Sequence, residues 1–217
     1  MTKHPAVPYV APFAAFLVFL GIKSYLPFEY PLRVIVVGAI LLLVSRKVVS
    51  LRAARPAASV LVGILLFVIW IAPDLLWPTY RQHWLFDNAL TGSAQSSLAA
   101  ETRADFVFLF FRVLGTAVLV PVIEELFWRG WLMRYLIAPK FEAVRLGTYS
   151  ALSFWLTAVL FASEHGPYWE VGLLAGIGYN WWMIRTRSLG ACILAHAVTN
   201  ACLAAYVIAA GAWQYWL

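Results

Sequence analysis

Seven apolar runs, at about residues 8–26, 31–48, 57–77, 105–138, 149–165, 170–185 and 189–211, take up most of this 217-residue chain and leave it few ways to fold. Most are near the ~20 residues an α-helix needs to cross a ~30 Å hydrocarbon core. In that medium every backbone N–H and C=O must be paired internally, which admits only helices or closed barrels. The runs are continuous and lack the period-two alternation of barrel strands, so helices are expected. With 63% hydrophobic residues, 12% charged residues and a mean hydropathy of +0.80, the chain has too little polar surface to solvate a globule of its size. The expected fold class is all-α, a polytopic transmembrane helical bundle.

The fourth run leaves the span count at seven or eight. At about 34 residues and ~1.5 Å per residue it would be ~51 Å long, so it must tilt, kink or fold back. Pro121 is the expected break. A reversal there would give eight spans and flip the orientation of everything downstream. The longest polar stretch, 78–104, reads as a loop. Residues 1–104 then supply three helices plus that loop, and 105–217 a helical core, within one integrated membrane domain. The first run is too long for a signal peptide and has no small-residue cleavage pattern after it, so it reads as a retained span. Cys192 and Cys202 fall in one helix, roughly 15 Å apart, and cannot bridge each other.

The net charge of +6 is concentrated in loops: Arg46, Lys47, Arg52 and Arg55 in one, Arg134, Lys140 and Arg145 in another, Arg185 and Arg187 in a third, with Lys3 near the start. If 105–138 is one long helix, all four regions share a side, the cytoplasmic one by the positive-inside rule. Glu29, Asp87, Glu101, Asp105, Glu164 and Glu170 favour the other side. Topology thus accounts for the basic charge, and no nucleic-acid partner is implied.

Against this background, ionisable groups within the runs stand out, because a charge at bilayer depth costs about 2.5–3.5 kcal/mol on insertion scales and usually marks function. Glu125 and Arg129 are at i,i+4, acid first, and share a helical face. Glu124 points about 100° away with no local partner, suited to general acid or base chemistry. His165 ends the fifth run, and His196 and Asn200 are at i,i+4 in the last. Each of these taken singly has a plain alternative as a helix-packing ion pair or interhelical hydrogen bond. Their conjunction points to one site. Counting from the nearest basic loop puts Glu124 ~22 Å, His165 ~25 Å and His196 ~12 Å deep, so His196 is expected about two turns too shallow. Arg112 is expected to pair with Glu164 or Glu170, and Asn180 to bond another helix.

Glu-Glu-x-x-x-Arg, Phe-x-x-x-His and His-x-x-x-Asn, in this order over about 105–211, resemble the CPBP family, the CAAX-processing and bacteriocin-processing (ABI) membrane endopeptidases. The motif-poor N-terminal part is similar to the CAAX-protease-related branch found with bacterial exosortase systems. The resemblance implies that Glu124 activates water with His165, that His196 and Asn200 stabilise the oxyanion, and that Glu125 and Arg129 support the site. It leaves two mechanisms open. One holds a catalytic zinc by Glu124, His165 and His196 with an open fourth position; the other is metal-free.

The function expected is an intramembrane endopeptidase acting on a membrane-anchored, lipidated or hydrophobic-tailed protein, in the lipid bilayer of a bacterial cytoplasmic membrane. Two other classes fit less well. A non-catalytic immunity or assembly protein that kept the fold would be expected to lose part of the motif set, which is intact here. A proton-coupled transporter would be expected to show an internal repeat. No His-Glu-x-x-His helix, Gly-x-Ser-Gly or Gly-x-Gly-Asp motif offers another protease chemistry.

Overall fold

The computed structural model describes residues 4–26 and 28–216; Lys3 lies outside the described residues. Among the described residues eight helices form: α1 (Val7–Gly21), α2 (Glu29–Ile40, running on through a π-helical turn, Leu41–Ser45), α3 (Pro56–Leu76), the short α4 (Ala100–Ala104), α5 (Phe106–Tyr135), α6 (Ala151–Ser163), α7 (Trp169–Thr186) and α8 (Leu189–Ala210). Among the described residues no strand is present, only a single bridge between Asn88 and Gly92. The protein is all-α, and all seven apolar runs are helical. α3, α5 and α8 are both long and apolar enough to cross a membrane; α1 and α6 are apolar and shorter.

Local chemistry sets the ends. Asp105 caps α5, its carboxylate accepting from the amides of Val107 and Phe108, while the Ser188 hydroxyl accepts from Ala191 N at the start of α8. Gly211, at φ 65°, ends α8 in the left-handed conformation that costs glycine least. The chain does not reverse at Pro121. α5 stays continuous by widening to π geometry on both sides, at Gly115–Leu119 and Leu126–Leu132. Such widening is a recognised way to accommodate the N–H that proline lacks.

α8 is the hub. It packs against α3, α5 and α7, while α6 pairs with α7 and the α1–α2 hairpin covers α5. One apolar core joins all seven long helices, through Phe13, Val37, Leu66, Ile123, Phe161, Met183 and Ile193 among others. Gly63 brings α3 against α8: a Cβ there would lie 2.7 Å from Val198 Cβ and would collide with the Ala195 carbonyl oxygen. This is the close approach that small residues allow between membrane helices.

The three basic loops meet at one end of the bundle. Ala54 N donates to Ser188 Oγ at 3.2 Å, and Tyr9, Ser50, Arg134 and Arg187 surround one hollow there. The opposite end is closed by the 78–104 segment and the residues after α8. Arg81 binds Asp74 at 2.8 Å and Glu170 at 2.6 Å, and Tyr215 Oη donates to Asp74 at 2.7 Å. Burial, and then the Asp74 carboxylate, push the Tyr215 hydroxyl above its ordinary range, so it remains a donor at physiological pH. The 78–104 segment, expected as a plain loop, contains α4 and a 3-10 turn at Tyr80–Gln82. Trp128 and Trp182 are buried in the core.

Candidate active site

A cavity of about 190 Å³ opens between α3, α5, α6, α7 and α8, and its lining includes Glu124, His165, His196 and Asn200. Along α5 the lining residues are Arg112, Thr116, Val120 and Glu124, four positions in steps of four on one helical face. The two-turn depth mismatch expected for His196 is absent. Its Nδ1 lies 2.9 Å from Glu125 Oε1; the count assumed a fixed rise per residue, which the π segments of α5 do not keep.

Glu125 lies beneath the cavity, fully buried. Its Oε1 receives Arg129 Nη1 at 3.0 Å as well as His196 Nδ1. Arg129 is fully buried too, and its remaining donors reach Asn180 Oδ1 at 2.9 Å and the Gly176 carbonyl at 3.2 Å. Its guanidinium lies 4.7 Å from the Phe161 ring centre and 5.3 Å from that of Tyr179. Asn180 in turn donates to the Phe154 carbonyl at 2.8 Å, bonding α7 to α6 as its position suggested. The expected Glu125–Arg129 pair is therefore one edge of a network that joins α5, α7 and α8. A charge pair at this depth depends on such partners; the second carboxylate oxygen, Glu125 Oε2, meets no donor among the described residues.

Both histidines have their ring orientation set by what Nδ1 touches. His165 Nδ1 sits 2.8 Å from the Phe161 carbonyl, which can only accept; the proton is thus on Nδ1, and the neutral ring keeps a lone pair on Nε2. Trp70 meets this ring edge-on at 5.2 Å, and Gly172 leaves the room it occupies, since a Cβ there would be 3.0 Å from Nδ1. His196 gives Nδ1–H to the Glu125 carboxylate and stacks on Tyr179 at 4.7 Å and 21°. Tyr179 is fixed by its hydroxyl bond to Thr199 at 2.8 Å. Asn200 Nδ2 donates one hydrogen to the Thr116 carbonyl at 2.8 Å and retains a second. Glu124 is buried, and its Oε2 meets no protein donor.

Arg112 departs from expectation. Glu170 is taken by Arg81, Glu164 is exposed, and Arg112 faces the cavity between the rings of Tyr30 and Trp216. Sequence reasoning also passed over Tyr179, Thr199, Trp70 and Tyr215 as parts of the site. Of these only Thr199 carried a signal, one position before Asn200 and one turn after Ala195. Among the described residues no group of three or more His, Cys, Asp and Glu side chains is arranged to hold a metal ion. Glu124, His165 and His196 line one cavity without forming such a group, and no step below is routed through a metal.

No curated protein and no solved structure matches the chain. Residues 106–202 match the family described as type II CAAX prenyl endopeptidase Rce1-like. The matched stretch begins with the first residue of α5 and contains Glu124, Glu125, Arg129, His165, His196 and Asn200. With three helices long and apolar enough to cross a membrane, the chain is an integral membrane protein whose matched portion is similar to a peptidase family. Over this C-terminal portion, the chain is similar to the Rce1-like type II CAAX prenyl endopeptidases.

Proposed function

We propose that the protein is an intramembrane endopeptidase that hydrolyses a peptide bond of a membrane-anchored protein by a metal-free mechanism. One observation carries the reading: a base pair and a donor pair, Glu124 with His165 and His196 with Asn200, line the same small cavity inside an apolar bundle. Water held by the free oxygen of Glu124 loses a proton as it attacks the scissile carbonyl, with the His165 Nε2 lone pair as the second acceptor. The second N–H of Asn200, together with His196 in its protonated form, stabilises the oxyanion. Collapse breaks the C–N bond, the proton passes to the leaving amine, and a new carboxylate and a new amine result. Low dielectric strengthens each of these contacts.

The test is cleavage of lipid-anchored reporter peptides by purified wild type, Glu124→Gln and Asn200→Ala, with and without a zinc chelator. Glu124→Gln is expected to lose at least about 10²–10⁴-fold in turnover, as for removal of a general base. Asn200→Ala is expected to lose about 10²–10³-fold, as for one oxyanion donor. Cleavage by Glu124→Gln at the wild-type rate would sink the mechanism. Loss of wild-type activity to the chelator, with recovery on adding zinc, would replace the metal-free route.

A further inference from the structure

Among the described residues, Arg112 is the only Lys or Arg that lines the cavity. It begins the row that Thr116, Val120 and Glu124 continue along α5. Among the described residues no carboxylate comes within ion-pairing distance of it, whereas Arg33 has Glu29 at 3.2 Å and Arg129 has Glu125 at 3.0 Å. Arg112 Nε is buried and makes no hydrogen bond. Its guanidinium instead rests 4.8 Å from the ring centre of Tyr30 and 5.3 Å from that of Trp216. Aromatic faces attract the cation but leave its in-plane N–H fork without acceptors. A planar fork of this kind matches a carboxylate in two-point fashion.

We infer that Arg112 anchors a carboxylate of the substrate at the far end of the cavity from the bond to be cut, and so sets the cutting distance. The inference rests on the peptidase reading of the same cavity. Twelve residues separate Arg112 from Glu124, a rise of at most about 18 Å along the helix. An extended peptide covers that in about five residues. The carboxylate thus belongs to the substrate's last residue or to an acidic side chain about five residues beyond the cut. Tyr215 and Trp216 also line the cavity, Tyr215 held by its bond to Asp74 and Trp216 lying against the Arg112 guanidinium.

The test uses a nested series of lipid-anchored reporter peptides differing in C-terminal length, each made as the free acid and as the C-terminal amide. Wild type is expected to prefer the acid by about 10- to 100-fold, chiefly in KM, the range of a hydrogen-bonded charge contact. The preference should peak at one length. In Arg112→Gln the acid-to-amide ratio should fall to near one, and Arg112→Lys should restore part of it, which a merely structural role would not do. An amide with Asp at its last residue separates the two sources: recovery assigns the carboxylate to a side chain, no recovery assigns it to the chain end. Binding of the same acid and amide peptides to Glu124→Gln in nanodiscs, by fluorescence anisotropy, keeps the two readings apart. If no peptide is cut, acid-selective binding that vanishes with Arg112→Gln still supports the anchor. Equal binding of acid and amide, or a ratio unchanged in Arg112→Gln, overturns it.

Discussion

Glu125 holds a different position from its neighbour Glu124, although the two acids are adjacent in sequence. One oxygen of Glu125 accepts from both Arg129 and His196, so it neutralises a buried guanidinium and orients an imidazole at once. Glu125→Ala leaves Arg129 buried without its counter-charge and is expected to cost about 3–5 kcal/mol of stability. Glu124→Gln, with no protein contact to lose at Oε2, should leave the unfolding midpoint close to wild type. Thermal unfolding of both variants in detergent separates the two roles; equal destabilisation would mean that Glu124 too is structural. At this scale the sequence showed what lies within one helix. The i,i+4 pairing of Glu125 and Arg129 was legible from spacing alone, as was the placement of His196 and Asn200 on one face. The bond from His196 to Glu125 crosses 71 residues of chain and was not legible. Nor was the freedom of Arg112 from its expected acids, which follows from Arg81 folding back from the 78–104 segment to reach Glu170 first.

Elements place these side chains through two devices, the π segments of α5 and the close contact of α3 with α8. The apolar runs gave the helices nearly to their ends, since in a membrane run length and helix length are the same constraint. The continuity of α5 past Pro121 was not readable, because a proline in a long apolar run equally permits a kink, a reversal or local widening. The same widening defeats any depth count at a fixed rise per residue, and explains why His196 meets Glu125 despite the calculated mismatch. At the α3–α8 contact, Thr199 Oγ lies 2.9 Å from the Gly63 carbonyl, which accepts from it; the same hydroxyl receives Tyr179, the residue on which His196 stacks. Gly63→Val would force α3 away from Ala195 and Val198. Overpacking of this kind typically costs about 1–3 kcal/mol. Because the displaced bond supports the His196 platform, cleavage should fall by at least about tenfold as well, the factor that 1.4 kcal/mol of lost transition-state stabilisation gives. A variant with lowered stability and full turnover would show that the contact serves packing alone.

The whole molecule presents lipid with an apolar exterior, including Val18, Ile35, Leu65, Val159, Leu174 and Ile208, and turns its ionisable groups inward or to the two ends. The ends differ in sign. Arg52, Arg55, Lys140, Arg145 and Arg187 lie at one, whereas the other carries the Asp74–Arg81–Glu170 cluster and the 78–104 segment. Because α5 does not reverse, the orientation set by the first basic loop is kept through α8, and the basic end should face the cytoplasm. Arg112, near the start of α5, then lies toward the non-cytoplasmic end of the cavity and Glu124 deeper. A substrate anchored by its carboxylate at Arg112 would run inward from that side to the site of cleavage. The arrangement is open to direct measurement in a background where Cys192 and Cys202 are replaced by alanine. Glu142→Cys, in the exposed turn between α5 and α6, should be blocked by a membrane-impermeant maleimide only after the membrane is opened. Gln95→Cys, exposed in the 78–104 segment, should react in intact cells or spheroplasts. Reaction of Glu142→Cys and not Gln95→Cys would invert the molecule, and with it the side from which the substrate enters. Reaction of both on the same side would require a reversal within α5 that its continuous helix does not contain.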